Sequence, residues 1–250
     1  WYKYFCADIY GAQWQLGCFY MAASAALVAI IFIDGEHFII PDEINAFLLI
    51  LGVGYALYSK DWTFLWQGYL MGWGIIFGIA FFGRLAFGKD AMGHGDIKMM
   101  RGVGSLIGPV LCVFDVAIAV VTGLVFGILF IAIQASRDKK AALAASAEGD
   151  VKEATGTEEE DDYQPESIKD LLILGFSYLI CLDVIAINFP QVYTKMGYPM
   201  EEVSVEDDDW EPSLTTIPFG PYLAVGAIAC MIFGSYMNDY AAPVLKSLFG

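Results

Sequence analysis

Long apolar runs separated by short polar breaks constrain this chain more than any other feature. Residues 15–33, 62–83 and 110–134 approach or exceed the roughly 20 residues needed to cross the hydrocarbon core of a bilayer. Shorter apolar stretches lie at 44–58, 96–106 and 222–236. Backbone polar groups have no water to bond inside lipid, so such runs cross as helices. With 58% of residues hydrophobic and 17% charged, the expected fold is all-α. It is a polytopic transmembrane helical bundle of about six membrane helices, with an inserted acidic cytoplasmic segment.

Three regions follow. Residues 1–136 hold the N-terminal membrane helices, 137–216 form the acidic insertion, and 217–250 carry the final membrane helix and tail. The insertion is defined by charge: of 29 acidic residues in the chain, 11 lie in 138–170 and 7 in 201–211. Residues 141–168 lack an apolar period and read as loosely ordered. The apolar stretch 171–189 contains Asp183, and a single crossing there breaks the alternation of sides. It is expected as an interfacial helix or one packed on the bundle. The acidity describes solvated segments and argues against a nucleic-acid partner.

Arg84, Lys89, Lys98, Arg101, Arg137, Lys139 and Lys140 fall in two breaks, whereas Lys60 stands alone in another. Cationic loops stay in the cytoplasm, which places Asp34, Asp42 and Asp96 on that side of the inner (plasma) membrane. The glycines at 68, 72, 74 and 78 are spaced for close helix packing. Cys6, Cys18, Cys112, Cys181 and Cys230 form no CxxC pair, so no metal site or disulfide framework is expected. The chain begins at Trp1 without a signal-peptide pattern and reads as part of a longer protein.

Two acids stand where membrane helices meet water. Asp34 ends the first span, and Asp96 sits in Gly93-His94-Gly95-Asp96-Ile97-Lys98 at the start of the short fourth helix. Acids at membrane depth are costly and mark functional sites. Taken singly, Asp96 suits a helix N-cap and Asp34 a polar stop. Brought together, two carboxyls share one proton. The ionised member can then draw a proton from water while the protonated one polarises a carbonyl. Gly93 and Gly95 allow close backbone approach, and Lys98 lies on the next turn. Glu36 and Asp42 are further candidate acids, with His37 and His94 near them. Asp115 is placed close to the outer boundary and outside the catalytic set.

These motifs resemble the type IV prepilin peptidase family, whose members are intramembrane aspartyl proteases. The stretch Asp34-Gly-Glu-His-Phe-Ile-Ile-Pro41-Asp42 resembles its D-x-[DE]-H-x-x-x-P-D pattern. Gly93 to Lys98 is similar to its GxGD-x-K stretch, and Ile217-Pro-Phe-Gly-Pro-Tyr-Leu-Ala224 to its closing I-P-F-G-P-[FY]-L-A segment. The resemblance implies an endopeptidase that removes the basic leader from type IV prepilins or pseudopilins on the cytoplasmic side. It thereby serves the pilus or type II secretion machinery indirectly. Asp34 and Asp96 would be catalytic, with Glu36, Asp42, Gly93, Gly95 and Lys98 supporting. Proteolysis needs no cofactor or metal.

Many such enzymes also methylate the new N-terminus with S-adenosylmethionine and carry zinc in an upstream segment with two CxxC pairs. This chain shows neither that segment nor those cysteines, and its 137–216 insertion departs from the family's short basic loop. The acidic residues Glu206–Asp209 are placed to attract a basic leader. The competing readings are a non-catalytic membrane assembly scaffold and a proton-coupled transporter. The intact acid pair argues against the first. The position of the acids at helix ends argues against the second.

Overall fold

A computed structural model of the chain describes residues 14–88, 92–148, 168–184 and 218–249. They form α1 (Trp14–His37), α2 (Asp42–Ser59), α3 (Trp62–Phe87), α4 (His94–Ile107), α5 (Pro109–Glu148), α6 (Ile168–Leu179) and α7 (Gly220–Phe249). No strand occurs among the described residues, so the all-α expectation holds. Four segments are long and apolar enough to cross a membrane: α1, α3, Pro109–Phe130 of α5 and Gly220–Ala241 of α7. The expected second and fourth spans exist as helices but miss that standard. The first, α2, opens on Asp42 and Glu43. The second, α4, has 14 residues and reaches only about 21 Å at 1.5 Å per residue.

The short helix α4 is the centre of the bundle. From Asp96 to Ile107 every residue but Lys98 is buried. It packs against α2 and α3, with further contacts from α5 and α7, while α7 packs on α1 and α5. Its neighbours approach closely because glycines face it. A Cβ on Gly68 would overlap the Gly104 carbonyl, and one on Gly72 the Met100 carbonyl. Gly74 and Gly78 meet nothing within 4 Å, so only half of the glycine series serves this interface. The outer surface is apolar instead: Phe32, Val121, Leu124, Phe126 and Ile128 are exposed, as lipid-facing side chains should be.

Helix ends show why the breaks fall where they do. Asp61 accepts the Phe64 N–H at 3.0 Å and caps α3, a contact worth about 1 kcal/mol. The α3 C-terminus is closed by Gly88, at φ 68°, and by Arg84, whose Nη1 donates to the Gly88 carbonyl at 2.6 Å. Between α4 and α5, Gly108 takes φ 86°. A Cβ there would overlap the Phe64 ring.

Several boundaries differ from expectation. The first span continues to His37, so Asp34 lies within its last turn rather than beyond it. The helix expected to stop at 134 runs to Glu148. Residues 141–148 are therefore helical, because Ala141, Ala142, Ala144, Ala145 and Ala147 have high intrinsic helix propensity. The last helix likewise continues past 236 through the expected tail to Phe249, with Pro243 inside it. Within the segment 137–216, α6 has 12 residues, too few to cross a bilayer. It lies on α3, where Trp73 Nε1 donates to the Gly175 carbonyl at 3.1 Å. The acid-rich stretches 149–167 and 201–211, with Glu206–Asp209, lie outside the described residues, as does Ile217.

The α3–α4 interface yields a contrast between two glycines on one helix. Gly68→Leu should lower unfolding stability in detergent by about 2 kcal/mol or more, because backbone rather than a yielding side chain blocks it. Gly74→Ala, in open space, should change it by less than about 0.5 kcal/mol. Equal melting temperatures for the two variants would contradict the packing described.

Candidate active site

The candidate site lies at the end of the bundle where α1 finishes and α2, α4 and α7 begin. Asp34 reaches it from the last turn of α1. The chain then reverses through Phe38, whose N–H donates to the Asp34 carbonyl at 3.0 Å and whose φ of 57° is unusual for a non-glycine residue. Pro41 precedes the first turn of α2 in an extended conformation. The loop thus delivers Ile40 inward, where it is buried.

Asp96 arrives from the opposite side. It is the third residue of α4, and its carboxyl bonds back to the N–H of the capping residue Gly93. This is one half of a capping box. Asp34 in turn accepts from the Gly220 N–H at the start of α7. The helices bearing the two acids are both flanked by α2 and α7, so the acids meet by their helix ends rather than by side-by-side packing. Ile40 is the shared wall. A Cβ on Gly95 would come within 3.0 Å of it, and one on Gly220 within 2.9 Å while also crowding the Asp34 carboxyl.

Both acids are almost withdrawn from water, each 6% exposed. Burial, and then the nearby Asp34 charge, push Asp96 up to about 7, opposed by the Gly93 N–H. Its Oδ1 is buried without a hydrogen-bond partner among the described residues. A buried acceptor left unpaired is costly.

The other sequence candidates separate into those near this centre and those away from it. Lys98 Nζ holds Asp42 at 2.8 and 2.9 Å and stands 5.0 Å from the Tyr178 ring centre. Gly93 and Gly95 give the backbone at Asp96 its clearance. Glu36 and His37 are exposed and are not drawn into the buried centre. His94 packs edge-on to Tyr178 at 5.9 Å. Asp115 is fully buried with neither oxygen hydrogen-bonded among the described residues. It lies against Gly226 of α7 rather than in the acid pair.

Sequence reasoning missed three contributors. Gly220 was legible only as part of the closing motif. Tyr178 gave no signal. Arg101 was counted as a loop cation, yet it is a helix residue, 1% exposed and paired with Asp183. Two stray charges of opposite sign in apolar surroundings were the available clue. Buried in α4, Arg101 does not mark a cytoplasmic loop. Among the described residues no cluster of three or more His, Cys, Asp or Glu side chains could hold a metal ion.

Comparisons with known proteins bear on this geometry. Residues 21–128 match the model of the type IV leader peptidase family. The chain is 27% identical over 128 residues to the prepilin leader peptidase/N-methyltransferase of Stutzerimonas stutzeri, covering 50% of this chain and 44% of that one. It is 25% identical over 240 residues to the protein so named in Myxococcus xanthus, covering 90% of this chain and 64% of that one. A third, from Aeromonas salmonicida, is 29% identical over 108 residues, covering 41% and 36% respectively. The chain thus spans between about a third and two thirds of the curated relatives' lengths. No solved structure matches.

The Asp96 environment sets the sign of a pH effect. An aspartate in the unfolded chain titrates near about 3.9, whereas the folded one is raised to about 7. The fold therefore favours the protonated form. Its stabilising contribution is complete below about pH 4 and is lost as pH rises through about 7. The melting temperature in detergent should fall between about pH 5 and pH 8, and fall less in Asp96→Asn. Identical pH slopes in the two proteins would show that Asp96 ionises as an ordinary surface acid.

Proposed function

We propose, on the premise that residues 21–128 belong to the type IV leader peptidase family, that this chain is a membrane-embedded aspartic endopeptidase. Its substrates are type IV prepilins or pseudopilins, from which it removes the basic leader. The observation that carries the reading is the burial of Asp34 and Asp96 at one end of the bundle, near enough that the Asp34 charge helps raise Asp96 to about 7.

Two like charges so placed cannot both ionise cheaply, so the pair holds one proton near neutral pH. The ionised carboxyl takes a proton from an entering water. The protonated one donates to the peptide carbonyl and stabilises the charge that develops on its oxygen. Asp96 Oδ1, buried with no hydrogen-bond partner among the described residues, is the carboxyl oxygen left to engage the substrate or the entering water. Gly93 and Gly220 N–H groups hold the carboxyls in place. Lys98 and Asp42 tie the start of α2 to α4 beside them.

The acid pair lies at the bundle end that also carries Arg84 and Lys98. We place that end in the cytoplasm of a cell whose inner membrane holds the protein, where a basic leader waits before export. Methyl transfer is part of the relatives' name. S-adenosylmethionine would be its methyl donor, but no methyl-transfer step follows from the residues of this pocket. Zinc belongs, on this reading, to an upstream segment of longer relatives.

The test is cleavage of a prepilin in membranes containing the protein at matched levels. Asp34→Asn and Asp96→Asn should each lower the rate by about a thousandfold or more. Cleavage by the parent should decline as pH rises through about 7, when the pair gives up its proton. If either variant cuts at the parental rate, the chemistry lies elsewhere.

A further inference from the structure

The insertion is fastened to α4 at a second, buried polar centre. Carbonyls at the end of α6 are met from outside the helix: the Cys181 N–H donates to the Tyr178 carbonyl at 3.2 Å. Tyr69 Oη of α3 lies 2.8 Å from the Leu179 carbonyl and 3.0 Å from the Tyr178 carbonyl, and its one proton is donated to either. Arg101 of α4 donates from Nη1 to the same Tyr178 carbonyl and from Nη2 to Asp183 Oδ2. The intervening turn takes Cys181 to φ 58° and sets its sulfur 3.2 Å from Tyr69 Oη. Arg101 is 1% exposed and Asp183 7%.

His94, Lys98 and Arg101 are spaced by four and three residues, so they share one face of α4. That face meets 168–183: the Tyr178 ring touches His94 and Lys98, and Asp183 holds Arg101. Asp96 falls two residues from His94 and from Lys98, which turns it to the other side of the helix. One short helix thus presents its acid in one direction and is gripped from another.

We infer that Arg101 and Asp183 form a buried clamp by which segment 168–183 of the insertion fixes the rotation and depth of α4, and so positions Asp96. The clamp rests on the contacts above. Its catalytic meaning rests on the peptidase reading. A buried ion pair contributes little net stability against apolar residues of similar size, but removal of one partner strands the other charge. Its use here is registry. Arg101 and Asp183 are positioning residues and do not touch the substrate.

The test compares Arg101→Met, Asp183→Leu and the two together. The background chain has Cys6, Cys18, Cys112 and Cys230 replaced by alanine, so that Cys181 reports the clamp. Each single variant should react with a water-soluble maleimide at Cys181 roughly tenfold faster and cleave prepilin roughly tenfold more slowly. The double variant strands no charge and should return both rates to within about threefold of the background chain. Single variants that label and cleave at the background rates would overturn the clamp. So would a double variant that stays as defective as the singles, since that is the behaviour of charges acting on substrate. If the unaltered chain and the background chain both cleave no prepilin while labelling follows the predicted pattern, the peptidase reading fails and the clamp stands.

Discussion

Everything in this structure turns on keeping two carboxyls side by side where water is scarce. Burial alone opposes the charged form of an acid, and a second acid nearby opposes it further. Asp96 carries both penalties, opposed by the Gly93 N–H, while the buried Asp34 carboxyl accepts from the Gly220 N–H. Such an arrangement survives only if the surroundings hold it rigidly. The glycines that crowd α3 onto α4, and the buried Ile40 against Gly95 and Gly220, are that rigidity in residue terms.

The short helix α4 shows how lipid changes the usual order of inside and outside. Long helices around it expose Phe, Val, Leu and Ile outward, at no cost in hydrocarbon. What must be hidden is polar: Asp34 and Asp96, Asn45, Ser105, Asp115 and the Arg101–Asp183 pair are all buried. Because α4 is wrapped by protein on nearly every side, it can carry an acid on one face and three basic or imidazole side chains on another. A helix facing lipid would have to bring all of them to one side.

The helices were legible from hydrophobic run length, and Asp34 and Asp96 from the conflict between a charge and its apolar neighbours. Helix ends were less so. Polar residues such as Asp34 to His37 look like a break in sequence, yet they continue a helix whose last turn reaches water. Residues 141–148 look unstructured by apolar period, but alanine needs no buried face to remain helical. How the acids meet was not legible. Their approach runs through a reversed loop at Phe38 and the first residue of α7. The partner of Arg101 lies 82 positions away, and no local pattern joins such residues. Only the rule that a buried charge needs an opposite one hints at the pair.

The central claim is that Asp34 and Asp96 stand next to each other at the mouth of the bundle. Its most direct test is cross-linking in native membranes, with Asp34→Cys and Asp96→Cys introduced together into a chain freed of its own cysteines. Mild oxidant or a short bifunctional thiol reagent should join the two positions within one molecule, shown by a protease site engineered between them that no longer separates the halves. A companion carrying Glu36→Cys with Asp96→Cys should join far less readily, since Glu36 points to solvent. Failure of the first pair to join, with both thiols shown to be reactive, would contradict the account.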